Sequence, residues 1–189
     1  MVYTHRRIIV ALAVALTTTT LLIAGCSSSE PNVSPQTTEA RPAKVIPYSL
    51  PTLELSDVDT SNPDEVALAF AETAYTLLPS VDRNQNEGMV RASAVLTDQL
   101  AAGVRAFDPP TGPGYDWNQW AKNRAIVNAS AEVGTQEVPP QTATNAYRML
   151  QVTQTIESAA KFIARKSFVL LVSMVSTPGG WRVDRITQL

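Results

Sequence analysis

Apolar residues recur along this chain with two periods, helical in the first half of the folded region and alternating in the second. Val66, Phe70, Ala74 and Leu77 are spaced three to four apart, which predicts a helix. Asn62-Pro63-Asp64-Glu65 marks its start: Asn62 caps free backbone N–H groups, Pro63 suits the first turn, and Glu65 is expected to reach back and complete a capping box. Pro79 should stop this helix just after Leu78. A second start lies at Asn84-Gln85-Asn86-Glu87, with Met89, Ala92, Leu96 and Leu100 on one face of a helix expected to run to about Gly103. A Pro/Gly loop follows at residues 108–114, and a short helix carries Trp117 and Trp120. The period then changes to two. Ala125, Val127, Ala129, Ala131 and Val133 alternate with Asn128, Ser130 and Glu132, predicting a strand over residues 124–133. Further strands are predicted at 146–156, 166–177 and 181–187, the last pair joined by Pro178-Gly179-Gly180. The run Phe168-Val169-Leu170-Leu171-Val172 is nearly continuous, as expected of a strand buried on both faces.

The first residues follow another pattern. Arg6 and Arg7 precede an apolar stretch over residues 8–23, and Ile23-Ala24-Gly25-Cys26 closes it. This tetrapeptide resembles a lipobox, which implies cleavage before Cys26 and diacylglyceryl modification of its thiol. Residues 1–25 are then a lipoprotein signal peptide. The alternative is an uncleaved membrane helix at the lower edge of spanning length, made less apolar by Thr17 to Thr20. Both place the rest of the chain on the extracytoplasmic face of the cell membrane, because the two arginines hold the start inside. Lipobox modification implies at least two acyl chains, and two anchor stably where one does not. Residues 26–61 hold a serine run, Pro31, Pro35, Pro42, Pro47 and Pro51, and few large apolar side chains, so they are expected to form a flexible linker. Its coil dimension is ~30–35 Å. Val45, Ile46, Tyr48, Leu50, Leu53 and Leu55 form a loosely ordered approach to the domain, with docking on it or on a partner as the alternative.

Composition narrows the chemistry. The sequence of 189 residues contains one histidine, His5, and one cysteine, Cys26. After signal cleavage no histidine remains, and the single thiol carries lipid. Ser-His-Asp and Cys-His catalysis, ordinary zinc sites and histidine pH switching therefore lack their residues. No metal and no cofactor is expected. Of 15 basic residues Arg6 and Arg7 leave with the signal, so 13 face 17 acidic ones, a net charge of −4 that disfavours nucleic acid as a partner.

Helices followed by four long antiparallel strands predict an α+β domain over residues 62–189, two or three N-terminal helices packed in a curved four-stranded sheet. With Gly179-Gly180-Trp181-Arg182-Val183 in its closing hairpin, the pattern resembles the nuclear transport factor 2-like superfamily of cone-shaped domains. Trp117-x-x-Trp120, the Ala/Val strand after it, Ala146-Tyr147-Arg148 before Val152-Thr153, and the closing hairpin are similar to actinobacterial proteins associated with conjugative elements. That resemblance implies an assembly role accessory to a conjugation or secretion apparatus.

Enzymes of the superfamily place an Asp/His or Asp/Tyr set inside the cone, and here only the second type is open, from Asp116, Asp184, Tyr75, Tyr115 and Tyr147. The plainer readings are that Asp184 pairs in solvent with Arg182 or Lys166, that Asp116 caps the short helix, and that Tyr75 is a core tyrosine with its hydroxyl at the rim. No catalytic residue is assigned. Tyr115, Trp117 and Trp120 form the most distinctive group, either a plug at the open end of the cone or a ligand or interface surface. Alternation puts Tyr147, Met149, Gln151 and Thr153 on one outer sheet face, a candidate surface for a homo-oligomer or a membrane-complex protein. The leading expectation is a non-catalytic interaction module. The alternative is a small-molecule binder or an Asp/Tyr acid–base enzyme using the cone interior.

Overall fold

The computed structural model describes residues 45–189. Cys26, the lipobox and the first part of the linker lie outside the described residues. Four α-helices precede four strands: α1 Pro63–Tyr75, α2 Asn86–Arg91, α3 Asp98–Ala106, α4 Tyr115–Lys122, then β1 Ile126–Val133, β2 Asn145–Glu157, β3 Phe162–Thr177 and β4 Gly180–Gln188. The strands form one antiparallel meander in the order β1-β2-β3-β4. Among the described residues no helix is long and apolar enough to cross a membrane.

The α1 start forms as its sequence dictates, with the Asn62 side chain accepting the Asp64 N–H at 2.9 Å and Pro63 opening the helix. The capping box does not close: the Asn62 N–H donates to the Asp59 carbonyl, and Glu65 points to solvent. The helix also ends at Tyr75, three residues short of the expected end. From Thr76 the backbone is extended, and Leu77 exchanges both hydrogen bonds with Val127, at 2.8 and 2.9 Å. Strand pairing has won over three more residues of helix.

The second predicted helix is two. Asn84, one residue before the cap position Gln85, accepts the Asn86 N–H at the start of α2, but Ala92 leaves the helix and a 3-10 turn covers Ser93–Val95. The chain straightens so that Leu96 bridges Val183 and the Thr97 N–H donates to the Val183 carbonyl at 2.8 Å. Thr97 then caps α3 by accepting the Leu100 N–H. Gly88 on α2 meets α1 so closely that an added Cβ would lie 2.0 Å from the Ala74 carbonyl oxygen, so only glycine permits this approach.

The core lies between the helices and one sheet face. Val66, Phe70 and Ala74 of α1 pack on Ala146, Leu150 and Val152 of β2, Leu170, Val172 and Met174 of β3, and Trp181 and Val183 of β4. Trp181 is buried in this cluster, as its place in the closing hairpin requires. The expectation that β3 is buried on both faces is corrected. Leu170, Val172 and Met174 are fully covered, whereas Val169, Leu171 and Val175 on the opposite face are only half-buried, because no layer of the described residues covers that side. Strand β3 also begins at Phe162, four residues before the predicted start, with a bulge opposite Ile156/Glu157.

The last stretch of the expected linker is fixed to the domain rather than loosely ordered. The Leu53 N–H donates to the Arg91 carbonyl at 3.1 Å, the Trp181 N–H to the Thr60 carbonyl at 2.7 Å, and Leu53 and Val58 pack on the core. Gly180 at φ +97° lies against Thr60, where a side chain would clash. Val45 and Tyr48 are exposed.

Candidate functional site

At the end of the sheet away from this core, the elements separate. Helix α4 sits over a smaller apolar cluster in which Trp117 packs with Leu77, Ala125, Val127 and Ile156. Between it, the ends of α1 and α2, and strands β2 to β4 lies a cavity of about 600 Å³. Its walls are aromatic: Tyr75, Phe107, Trp117, Trp120 and Phe168, with the Tyr75 and Phe168 rings 5.0 Å apart and tilted. Its polar groups are mostly amides, Asn84, Gln85, Asn86, Gln154 and Gln188, with the Thr111 hydroxyl and one cation, Lys166. Two amides also hold the frame: Gln154 donates to the Tyr75 carbonyl at 2.8 Å and Asn86 to the Val104 carbonyl at 2.8 Å. The Lys166 ammonium lies 4.7 Å from the Trp120 ring centroid and 3.3 Å from an Asp116 carboxylate oxygen, fixing it at the rim.

Among the described residues no carboxylate lines the cavity. Asp116 belongs to the first turn of α4, whose cap position is Gly114, so it does not cap the helix as expected. Its side chain is 68% exposed. Asp184 occupies the exposed edge of β4, where the Thr97 hydroxyl donates to it at 3.3 Å, instead of pairing with Arg182 or Lys166. Burial raises the Tyr75 phenol to about 12, so the hydroxyl is neutral throughout the range in which an enzyme would use it as a base.

The sequence-derived group divides. Trp117 and Trp120 meet at the cavity wall, while Tyr115, one turn earlier, is 77% exposed and stands outside it. Tyr147 and Met149 lie on the far sheet face, opposite Ser173 and Leu171 of β3, and Gln151 and Thr153 continue that row opposite Val169 and Ser167. Sequence reasoning missed Phe168, Gln154 and Gln188. Phe168 shares the phase of Leu170, Val172 and Met174, a signal masked by the apolar residues between them. The amides carried none.

The two free edges of the sheet differ. Outward N–H groups of β1 are engaged by the end of α1: Val127 bonds the Leu77 carbonyl, Ala129 the Thr76 hydroxyl at 3.0 Å, and Ala131 the Glu72 carboxylate at 3.3 Å. On the other side β4 covers β3 only from residue 170 onward, with the Leu189 N–H reaching the Val169 carbonyl at 3.0 Å. Among the described residues, none forms a strand beside residues 162–168 of β3 on that flank.

Comparison with protein-family models, with curated proteins and with solved structures finds no match for this chain.

Proposed function

We propose that this chain is a lipid-anchored, extracytoplasmic interaction module that binds a partner without catalysing a reaction, its domain a nuclear transport factor 2-like cone serving a conjugation or secretion apparatus. The observation that carries the non-catalytic part is the carboxylate-free cavity. Acid–base chemistry needs a proton-transfer group held in a dry site at a useful pKa. Here both candidate aspartates are solvated and turned to other partners, and Tyr75 is too weak an acid to substitute. Support for binding comes from the uncovered sheet face, where Tyr147, Met149, Val169 and Leu171 mix with Gln151, Thr153 and Ser173. Such a composition suits an interface between copies or with a membrane-complex protein. The anchor rests on Cys26 and the signal before it.

One observation favours a second reading. A cavity of about 600 Å³ with aromatic walls and scattered amides is within the size range of small-molecule sites.

Chemical crosslinking at the cell surface followed by mass spectrometry tests the main reading, with Tyr147→Asp and Met149→Asp as disruptors. Recovery of a self-associated form or a membrane-complex component, weakened by either substitution, is expected. A monomer in every sample, with a defined small molecule retained in the cavity, would transfer the assignment to the second reading. Acyl-probe labelling tests the anchor: label on the parent chain and none on Cys26→Ser is expected, and label persisting on the variant would refute it.

A further inference from the structure

We infer that the bare flank of β3 at residues 162–168 is a strand-addition site, taking an extended, acidic and apolar segment of a partner protein whose alternate side chains enter the neighbouring cavity. The inference rests on the interaction-module reading and gives it a contact.

The first observation is the backbone. Since the Val169 carbonyl faces the β4 side, and backbone groups of a strand alternate in direction, the N–H and C=O of Ser167 and Arg165 face the same side. Neither residue's outward groups bond to any protein atom among the described residues, and both residues are exposed. Elsewhere much of the sheet edge is engaged. Strand β1 is covered by α1, while β4 gives its Trp181 and Val183 groups to Thr60 and Thr97 and then bulges at Asp184, which discourages further pairing. A row of alternating donors and acceptors at strand spacing is matched by another extended peptide and by little else.

The second observation is where that flank lies. Lys166 and Phe168, the neighbours of Arg165 and Ser167, line the cavity, as does Gln188 at the end of β4. A strand added beside β3 would continue the sheet over the cavity mouth, placing every second side chain toward Trp120 and Phe168. Apolar or aromatic residues fit those positions. The third observation is charge: Lys161, Arg165 and Lys166 lie in or next to this stretch, Asp116 balances only Lys166, and Arg165 has no ion-pair partner among the described residues. Acidic residues in the added segment would complement them.

The test uses the full chain in detergent and a pool of capped heptapeptides of pattern Glu-Thr-X-Thr-X-Thr-Glu, where X is Val, Leu, Phe, Tyr or Trp. A second pool carries the same side chains with alternate backbone amides N-methylated. Ser167→Pro removes one outward N–H, and proline is tolerated where a strand's N–H faces solvent, so the fold should persist. Members of the first pool should bind, with slowed amide exchange at Arg165 and Ser167. Both N-methylation and Ser167→Pro should weaken binding about tenfold or more, while Ser167→Pro leaves the melting temperature nearly unchanged. If Ser167→Pro unfolds the domain, the N-methylated pool decides alone. Binding that is indifferent to N-methylation would show a cavity that takes side chains without strand pairing, and failure of the whole first pool to bind would also overturn the inference. Either result can coexist with partner capture in the surface crosslinking experiment, in which case the interaction-module reading stands and the site is elsewhere.

Discussion

Beneath α1, Phe70, Leu150, Val172 and Val183 are completely buried, whereas beneath α4 the same sheet lines a cavity of about 600 Å³. The edges follow the same division. Along α1, Glu72 and Thr76 occupy outward groups of β1, and near α4 Arg165 and Ser167 of β3 have none of this cover among the described residues. Unequal strand lengths produce the contrast. Strand β3 is 16 residues long and β4 only 9, so the hairpin leaves one flank of β3 unpaired, and the short α4 cannot fill the space beneath it. One half of the domain is built for stability, and the other keeps surface that a stable fold would ordinarily hide.

Substitutions should reveal that division as unequal cost. Phe70→Ala in the closed half is expected to destabilise by ~3–5 kcal/mol, since the large ring is fully buried and its neighbours cannot all collapse into the void. Denaturant unfolding measures it; a cost below ~1 kcal/mol would show the core to be as open as the cavity end. Trp120→Ala in the open half should cost less, ~1–2 kcal/mol, because the indole is only partly buried and one of its faces meets the cavity. A loss as large as that of Phe70→Ala would mean that Trp120 is a structural plug. At the sealed edge, Thr76→Val leaves the Ala129 N–H without its acceptor and should cost ~1 kcal/mol. Faster amide exchange at Ala129 would accompany it.

The last effect appears only at alkaline pH. The Tyr75 phenol is raised to about 12 by burial, above the ordinary value of 10.0 that it regains on unfolding. Between these values the unfolded chain has lost the proton and the folded one has kept it. The Tyr75 contribution to stability is therefore complete below pH 10, falls as pH rises toward 12, and is gone above it. Ultraviolet titration should show one tyrosine ionising well after the exposed ones, a lag that Tyr75→Phe removes.

The closed half was the more legible in sequence. Asn62-Pro63, the Val66/Phe70/Ala74 spacing and the Gly179-Gly180 hairpin announce elements that need only local chemistry and one buried face. What was read less well, in both halves, comes from competition between distant segments. Nothing local tells Leu96 and Thr97 to leave a helix for Val183, or Leu77 to pair with Val127. Thr60 and Leu53 dock through backbone groups, which carry no side-chain signal. The Trp117 and Trp120 pair was visible as a feature, but its role as a cavity wall depended on Phe168, whose direction the continuous apolar run of β3 concealed. That the one histidine, His5, precedes the folded region was, by contrast, readable at once.

The division between halves is tested most directly by placing a photo-crosslinking amino acid at Arg165 on the open flank and, separately, at Glu132 on the sealed strand β1, in the full chain expressed in living cells. The account predicts a discrete protein adduct from position 165, lost with Ser167→Pro, and little or none from position 132. Equal capture from both positions, or none from either while a small molecule stays bound in the cavity, would contradict it.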